Sequence, residues 1–493
     1  MPVERRKELT MLDVAIIGGG IVGAACAYEL SRYRLSVAVL ERENDVACGT
    51  TKANSAILHA GYDPPPGTLM ARLNVEGVRL AEELCRKLDV PYRQCGSLVA
   101  AFSGEDAGLL RTLYSRGVEN GVPGLSLLDA AQVRNLEPNL SPEVVGALYA
   151  PTAAIVNPWE YALALAETAV RNGVSLHLNA GVTAIRRCKG GFELDTAAGR
   201  FWARYVLNAA GLYSDEVHNM AAAPAFRIHP DRGEYYMLDK SEGERVSHVV
   251  FQCPTRAGKG TLVAPTVHGN LIVGPNNEPP RERDDTATTA GGLEEVMRLA
   301  RKSVPSINFR ESIRNFAGVR AAADGADDFI IAEAADAPGL IDIAGIKSPG
   351  LSAAPAIARM AAELLEDCGL RLVKKDFFID TRRRVRFKEL PCEEKARLAE
   401  ENPAYGRVIC RCETITEGEI LDALRGPIPP CSVDGVKRRC NAGMGRCQGG
   451  FCGPRVFELL ARERGLPPEE ILQDRAGSYI ITGKTKMGGA GLV

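Results

Sequence analysis

Asp13-Val14-Ala15-Ile16-Ile17-Gly18-Gly19-Gly20-Ile21-Val22-Gly23 is the stretch that decides the fold. Its first five residues read as a short buried strand. Gly18, Gly20 and Gly23 then stand as G-x-G-x-x-G, and Ala24 to Arg32 reads as a helix with Ala27 and Leu30 on one face. The three glycines serve different needs: a tight turn, close approach of backbone to a pyrophosphate, and close packing of helix on strand. The helix start offers partial positive charge to the phosphates. Ser36 to Leu40 reads as the second strand, and Glu41 ends it, which puts a carboxylate where a ribose 2′-hydroxyl needs an acceptor. A lone glycine fingerprint is a weak signal. Strand, glycines, helix, strand and acid in this order specify a βαβ nucleotide-binding unit and an α/β class with a Rossmann-like domain.

Two later segments extend that sheet. Tyr205-Val206-Leu207-Asn208-Ala209-Ala210-Gly211 and Leu340-Ile341-Asp342-Ile343-Ala344-Gly345 are buried-strand runs ending in small residues, and the second leads through Lys347 to Ser352 into a helix over Ala354–Leu365. Strands returning to one sheet end near its cofactor crevice. Pro91 to Tyr149 and Phe226 to Val273 carry runs such as Ser97–Ala101, Thr261–Thr266 and Asn270–Val273, with the alternation and turn punctuation of antiparallel strands. They predict a substrate-covering sheet drawn from about 91–149 and 226–320.

Composition narrows the class. At 493 residues the chain exceeds one ordinary core, so several domains are expected. The 60 basic and 62 acidic residues nearly cancel, which gives no support to nucleic-acid binding. No run of about 18 apolar residues suggests a membrane helix. The charged start, MPVERRKELTMLD, does not read as a signal peptide, so a cytoplasmic protein with reduced cysteines is expected, associated with membrane at most peripherally through partners. Cys26, Cys48, Cys85, Cys188, Cys253 and Cys368 read mostly as small buried fillers. Four others stand apart: Cys410 and Cys412 form a C-x-C pair, and Cys447 and Cys452 a C-x4-C pair in a glycine-rich run. Two close thiolate pairs suit a sulfur-ligated zinc or iron–sulfur site. A redox cofactor beside a dinucleotide fold favours iron–sulfur. Cys431 and Cys440 leave other ligand sets open on spacing alone.

The fingerprint, Thr51–Gly61 (TKANSAILHAG), Arg232–Tyr236 (RGEYY), Ala317–Arg320 (AGVR) and the Gly345–Ser352 loop resemble the FAD-dependent oxidoreductases of the D-amino-acid-oxidase superfamily. Residues 13 to about 365 are similar there to glycerol-3-phosphate and L-2-hydroxyglutarate dehydrogenases. Residues 407–455 resemble the [2Fe–2S] domain related to bacterioferritin-associated ferredoxin, and the combination resembles the large subunits of anaerobic glycerol-3-phosphate dehydrogenases. The resemblance implies FAD as the nucleotide and Cys410, Cys412, Cys447 and Cys452 as cluster ligands. It implies domains at 1–370 and 407–456, with a linker at 371–406 and a tail at 457–493.

Expected cofactor contacts are Gly18, Gly20, Gly23, Glu41, Thr51, Asn54, Ser55, Val182, Gly211, Gly345, Gly350, Leu351 and Ser352. His59 can take a hydroxyl proton as hydride leaves carbon, since its pKa lies near working pH; it can equally hold its loop through a backbone carbonyl. In the resembling enzymes an arginine at the place of Arg320 binds the substrate anion, which suits its planar fork; pairing with Asp324 or Asp327 is the structural alternative. Lys347, just before a helix that starts near Pro349, can serve the same anion or the flavin. The expected reaction is oxidation of a small anionic alcohol, glycerol 3-phosphate first, a 2-hydroxy acid such as L-2-hydroxyglutarate second and an amino acid third; an electron-transfer subunit that keeps the cofactors and binds no small substrate is the alternative from another class. With no second fingerprint for a nicotinamide, electrons are expected to leave through the cluster to other redox subunits in a hetero-oligomer. The basic run Arg382–Arg386 reads as a solvated face or a docking surface.

Overall fold

The computed structural model describes residues 11–254, 260–325 and 327–483. The chain forms two compact units: one holds the residues up to Arg42 together with Val46–Arg383, the other holds Glu43–Asp45 and the residues from Arg384 onward. The charged start up to residue 10 and the end of the tail lie outside the described residues.

The first unit is built on a sheet whose central strands are Ser175–His177, Val37–Leu40, Leu12–Ile17, Gly199–Asn208 and Leu340–Ala344, in that spatial order and mutually parallel. Val14, Ala15 and Ile16 are fully buried, as expected of a parallel strand covered on both faces. The chain leaves Leu12–Ile17 for Val37–Leu40 on one side and returns to Gly199–Asn208 on the other. The glycine turn at Gly18–Gly23 therefore lies at the point where strand order reverses, the usual ligand crevice of such sheets. Helix Ile21–Leu30 follows the turn and packs against helices Pro158–Arg171 and Gly350–Asp367. The last helix begins at Gly350, so Gly350, Leu351 and Ser352 form its first turn rather than a preceding loop.

A second sheet runs in the order Ser312–Ala323, Ile228–Leu238, Leu271–Gly274, Leu262–Pro265, Val249–Gln252, Ser97–Ala101, Gly146–Ala150 and Ser126–Asp129. It is antiparallel except where Val249–Gln252 runs parallel to Ser97–Ala101. The 91–149 segment is not purely strand. It contains helix Gly104–Glu119, started by the Ser103 hydroxyl accepting from the Asp106 N–H at 3.1 Å with Glu105 and Asp106 in its first turn.

Among the described residues, the second unit folds four α-helices, Cys392–Glu401, Glu417–Arg425, Val433–Cys440 and Gly453–Arg464, with a short hairpin of Val408–Cys410 and Ile415–Thr416. Thr416 caps its helix reciprocally with Glu419, a capping box in a buried setting. Ile420, Leu424, Val436, Leu459, Leu460 and Ile471 make the core. Ile471 comes from the tail, and Val433 and Asp434 donate their backbone N–H groups to Leu472 and Gln473, so the tail packs on this unit. The stretch 371–406 divides between the units. Arg382 is buried and bonds Glu167 at 2.7 Å, and Asn172 bonds both backbone groups of Ile379. The basic run is thus no continuous solvated face: its first arginine is a structural anchor.

All 14 cysteines are free thiols; Cys26, Cys85 and Cys253 are buried as expected, whereas Cys188 is exposed.

Candidate active site and cluster module

The nucleotide cradle is set by close contacts. Gly18 has φ of +105°, and a Cβ there would lie 2.5 Å from the Ala209 carbonyl oxygen. A Cβ on Gly23 would lie 1.9 Å from the Gly18 carbonyl oxygen, so helix and strand approach as only glycine allows. At Gly20 the sole neighbour within 4 Å would be Thr51 Oγ1 at 3.3 Å, which leaves the helix start open to a phosphate. Thr51 accepts the Ile21 N–H at 2.9 Å, and the buried Glu41 carboxylate accepts the Gly19 N–H at 2.5 Å. Val182 opens a strand two residues after Ala180, whose N–H donates to the Glu41 carbonyl at 2.7 Å. Gly211 starts a short turn three residues beyond the strand end at Asn208 and is exposed. An open helix start, a carboxylate fixed beside it and glycines at the points of closest approach fit the pyrophosphate and ribose of FAD.

The segment Thr50–Gly61 joins three elements. The Thr50 hydroxyl donates to the Val319 carbonyl at 2.6 Å, and a Cβ on Gly318 would lie 1.8 Å from the Ala53 carbonyl oxygen, so the segment lies against strand Ser312–Ala323 next to Arg320. The Asn54 amide donates to the Thr50 and Thr51 carbonyls and its oxygen accepts from the Ala56 N–H. That side chain therefore shapes its own turn rather than reaching for a flavin or ribose oxygen; Ser55 beside it is half-buried. His59 N–H donates to Ser352 Oγ at 2.7 Å, and His59 Nε2 lies 3.3 Å from Ser348 Oγ. Its ring stacks on Phe251 of the second sheet at 5.6 Å. His59 is thus brought to the start of helix Gly350–Asp367 and, one residue further, to Lys347. The Lys347 ammonium is half-buried and has no hydrogen-bond or ion-pair partner among the described residues.

Arg320 does not pair with Asp324 or Asp327. Its guanidinium donates to Asn277 Oδ1 at 2.9 Å and to the Asn276 carbonyl at 3.1 Å, and it faces Asp231 across the strand pair. Neutral acceptors hold it in place, and no carboxylate among the described residues lies within ion-pair distance of it. Tyr235, buried on the neighbouring strand, has its phenol pushed up by burial and pulled back by Arg320. Arg232 lies elsewhere in function: buried, it pairs with Asp285 at 2.9 Å and Glu234 at 3.3 Å and anchors a loop.

A network invisible in the sequence sits at the strand ends. His218 Nδ1 lies 2.6 Å from Asp342 Oδ2, and Asp342 Oδ1 accepts from Asn208 Nδ2 at 2.7 Å. Asn208 ends one parallel strand and Asp342 lies in the next, so the network clamps them together where Gly211 and Gly345 follow. Burial holds the Asp342 carboxyl above the ordinary range.

In the second unit the four cysteines come together as two pairs. Cys412 and Cys447 sulfurs lie 3.6 Å apart, and the Cys452 thiol donates to Cys410, whose own pKa that bond holds down at about 6. Cys440 is buried in the core with its thiol on the Val436 carbonyl, and the Cys431 thiol bonds the Asn44 carbonyl, so neither joins the pairs. No three or more metal-binding side chains converge on one point among the described residues. A tetrahedral zinc needs four ligands at one point. Two separate pairs suit a centre with two irons, each taking two thiolates.

The chain resembles known proteins along both units. Residues 13–364 match the model of the FAD dependent oxidoreductase family, and residues 408–462 match that of the BFD-like [2Fe-2S] binding domain. A glycerol 3-phosphate dehydrogenase of Caloramator mitchellensis is 49% identical over 477 residues, covering 97% of this chain and 99% of its own. A glycerol 3-phosphate oxidase of Mycoplasma genitalium is 34% identical over 74% of this chain and 96% of its own. Among solved structures, the FAD-bound L-alpha-glycerophosphate oxidase of Mycoplasma pneumoniae superimposes with a TM-score of 0.72 at 32% identity, covering 76% of this chain and 98% of its own. No described helix is long and apolar enough to cross a membrane. The open cradle, the paired thiols and both family matches agree on the two cofactors, FAD and a [2Fe–2S] cluster: the chain belongs to the FAD-dependent oxidoreductases of the D-amino-acid-oxidase type and carries a BFD-like [2Fe–2S] domain at its C-terminal end.

Proposed function

We propose that this chain oxidises glycerol 3-phosphate to dihydroxyacetone phosphate and delivers the electrons to separate redox subunits. The observation that carries the substrate is the likeness to the Caloramator dehydrogenase, which covers 97% of this chain and 99% of that protein. The chemistry is carried by the residues that Thr50–Gly61 gathers. When bound, FAD supplies a hydride acceptor, and the cluster a one-electron carrier.

His59 is the base. Its Nε2, beside Ser348 Oγ, takes the proton of the secondary hydroxyl as the carbon is oxidised, and Ser352 fixes the backbone from which the ring projects. Arg320 and Lys347 bind the phosphate. Held by neutral Asn277 and the Asn276 carbonyl, Arg320 presents a charge to a dianion without first breaking an ion pair. Phe251 against the imidazole excludes water from that side. Gly18, Gly20, Gly23, Thr51 and Glu41 hold the pyrophosphate and ribose; Val182, Gly211, Gly345, Gly350 and Leu351 line the remaining cofactor contacts. Cys410, Cys412, Cys447 and Cys452 ligate the cluster.

Steady-state turnover with a dye acceptor tests the substrate. Glycerol 3-phosphate should exceed both glycerol and L-2-hydroxyglutarate in kcat/KM. Comparable turnover of glycerol would show that no anion is recognised, and preference for the hydroxy acid would move the chain to that substrate class.

A further inference from the structure

The four ligand cysteines are unequally covered. Cys410 and Cys452 are 1% and 2% exposed, whereas Cys412 and Cys447 lie at the surface. A centre enclosed on one side and open on the other gives an electron one short way out. What flanks the open side decides what can approach.

Those flanks are rich in arginine. Arg411 sits between Cys410 and Cys412, Arg446 directly precedes Cys447, and Arg455 follows Cys452 by less than one helical turn; all three are exposed. The carboxylates of the same segments are already engaged: Glu413 is buried and pairs with Lys388 at 3.5 Å, and Glu458 pairs with Arg455 at 2.7 Å. Four cations against two acids leave the mouth net positive however they pair. Beside it Phe451 is 73% exposed, with the Arg411 guanidinium 5.4 Å from its ring. An exposed aromatic backed by arginine is the composition of an interface centre.

We propose that Arg411, Cys412, Arg446, Cys447 and Phe451 form the docking surface for an acidic protein that accepts one electron at a time. This rests on the reading that the four cysteines hold the cluster, and it places the outlet here rather than on the Arg382–Arg386 run. Oxidation of one secondary alcohol to a ketone releases two electrons and two protons. Two acceptor molecules are therefore each reduced by one electron, and the protons pass to water.

The test uses the full chain with both cofactors and two probes of opposite charge, an acidic copper protein of the plastocyanin type and basic cytochrome c. Binding is measured by calorimetric titration with each probe in a redox-inactive, metal-substituted form, and reduction is followed with the native probes. The acidic probe should bind at low salt and weaken as salt rises, while cytochrome c should not bind. Arg411→Glu with Arg446→Glu should lower affinity for the acidic probe by about tenfold or more and reverse the preference, and Phe451→Ala should weaken binding without changing its salt dependence. Equal binding of both probes to the unaltered protein overturns the proposal without reliance on any variant. So does binding to vesicles of anionic phospholipid but not to the acidic protein, or an unchanged affinity in the charge-reversed protein with its cluster EPR signal intact. A protein that incorporates no iron would instead sink the cluster reading, a separate outcome read before any probe is added.

Discussion

His59 lies where one loop, one helix start and one strand of the second sheet meet, which makes it the residue on which the proposed chemistry turns. Its replacement by alanine should slow flavin reduction by about 10²-fold or more while leaving FAD bound, because a positioned base is worth that much and the cradle lies elsewhere. Rapid-mixing absorption measures it, and an unchanged rate would return His59 to loop support. Under the proposed role of Arg320, Arg320→Ala removes a charge-assisted pair to the substrate, worth roughly 1.5–3 kcal/mol, so KM for glycerol 3-phosphate should rise by about ten- to a hundred-fold. Because neutral groups hold Arg320, Asn277→Ala should raise KM less and leave kcat nearly unchanged. An equal fall in kcat would mean that Asn277 touches the reacting atoms.

Helices and loops tie their predictions to packing. A methyl group on Gly23 would press on the Gly18 carbonyl oxygen at 1.9 Å, so Gly23→Ala should push helix Ile21–Leu30 away and lower FAD content on purification. Retention of full FAD would show that the turn can give. In the second unit, Asp45 is buried between Arg438 and Arg439 at 3.1 and 2.7 Å. Burial alone would raise its pKa, but the two arginines outweigh that and hold it below the usual value. A depressed carboxyl stabilises above the unfolded-state value of about 3.9 and loses that contribution as pH falls through the folded value. The second unit should therefore weaken in acid below about pH 4. Asp45→Asn should be less stable at neutral pH and show a flatter acid slope in thermal unfolding. Arg439→Ala, which leaves the buried Asp45 carboxylate paired with Arg438 alone, should cost a part of the about 3–5 kcal/mol that removing the whole of a buried carboxylate's pairing costs.

The sequence made the elements with local signatures legible: the βαβ turn and the strands ending at Asn208 and Ala344. Each is written in neighbouring residues. Helix Gly104–Glu119 escaped because the surrounding alternation masked its Ser103 cap. The Asp342–His218–Asn208 network, the Asn277 tether on Arg320 and the Phe251 contact on His59 escaped because each joins residues far apart in sequence, which no spacing encodes. The anchor at Arg382 was misread for the same reason: its partner Glu167 is 215 positions away.

At the scale of the whole molecule, one chain carries a two-electron acceptor site and a one-electron outlet. On the proposed function, the chemistry of one appears in the other. The central measurement is an anaerobic titration of the purified protein with glycerol 3-phosphate, followed by flavin absorption and by EPR. The account predicts that the substrate bleaches the flavin band and brings up the signal of a reduced [2Fe–2S] cluster, and that Cys447→Ser abolishes the signal but not the bleaching. A flavin that stays oxidised under glycerol 3-phosphate, or that bleaches with L-2-hydroxyglutarate instead, would contradict it.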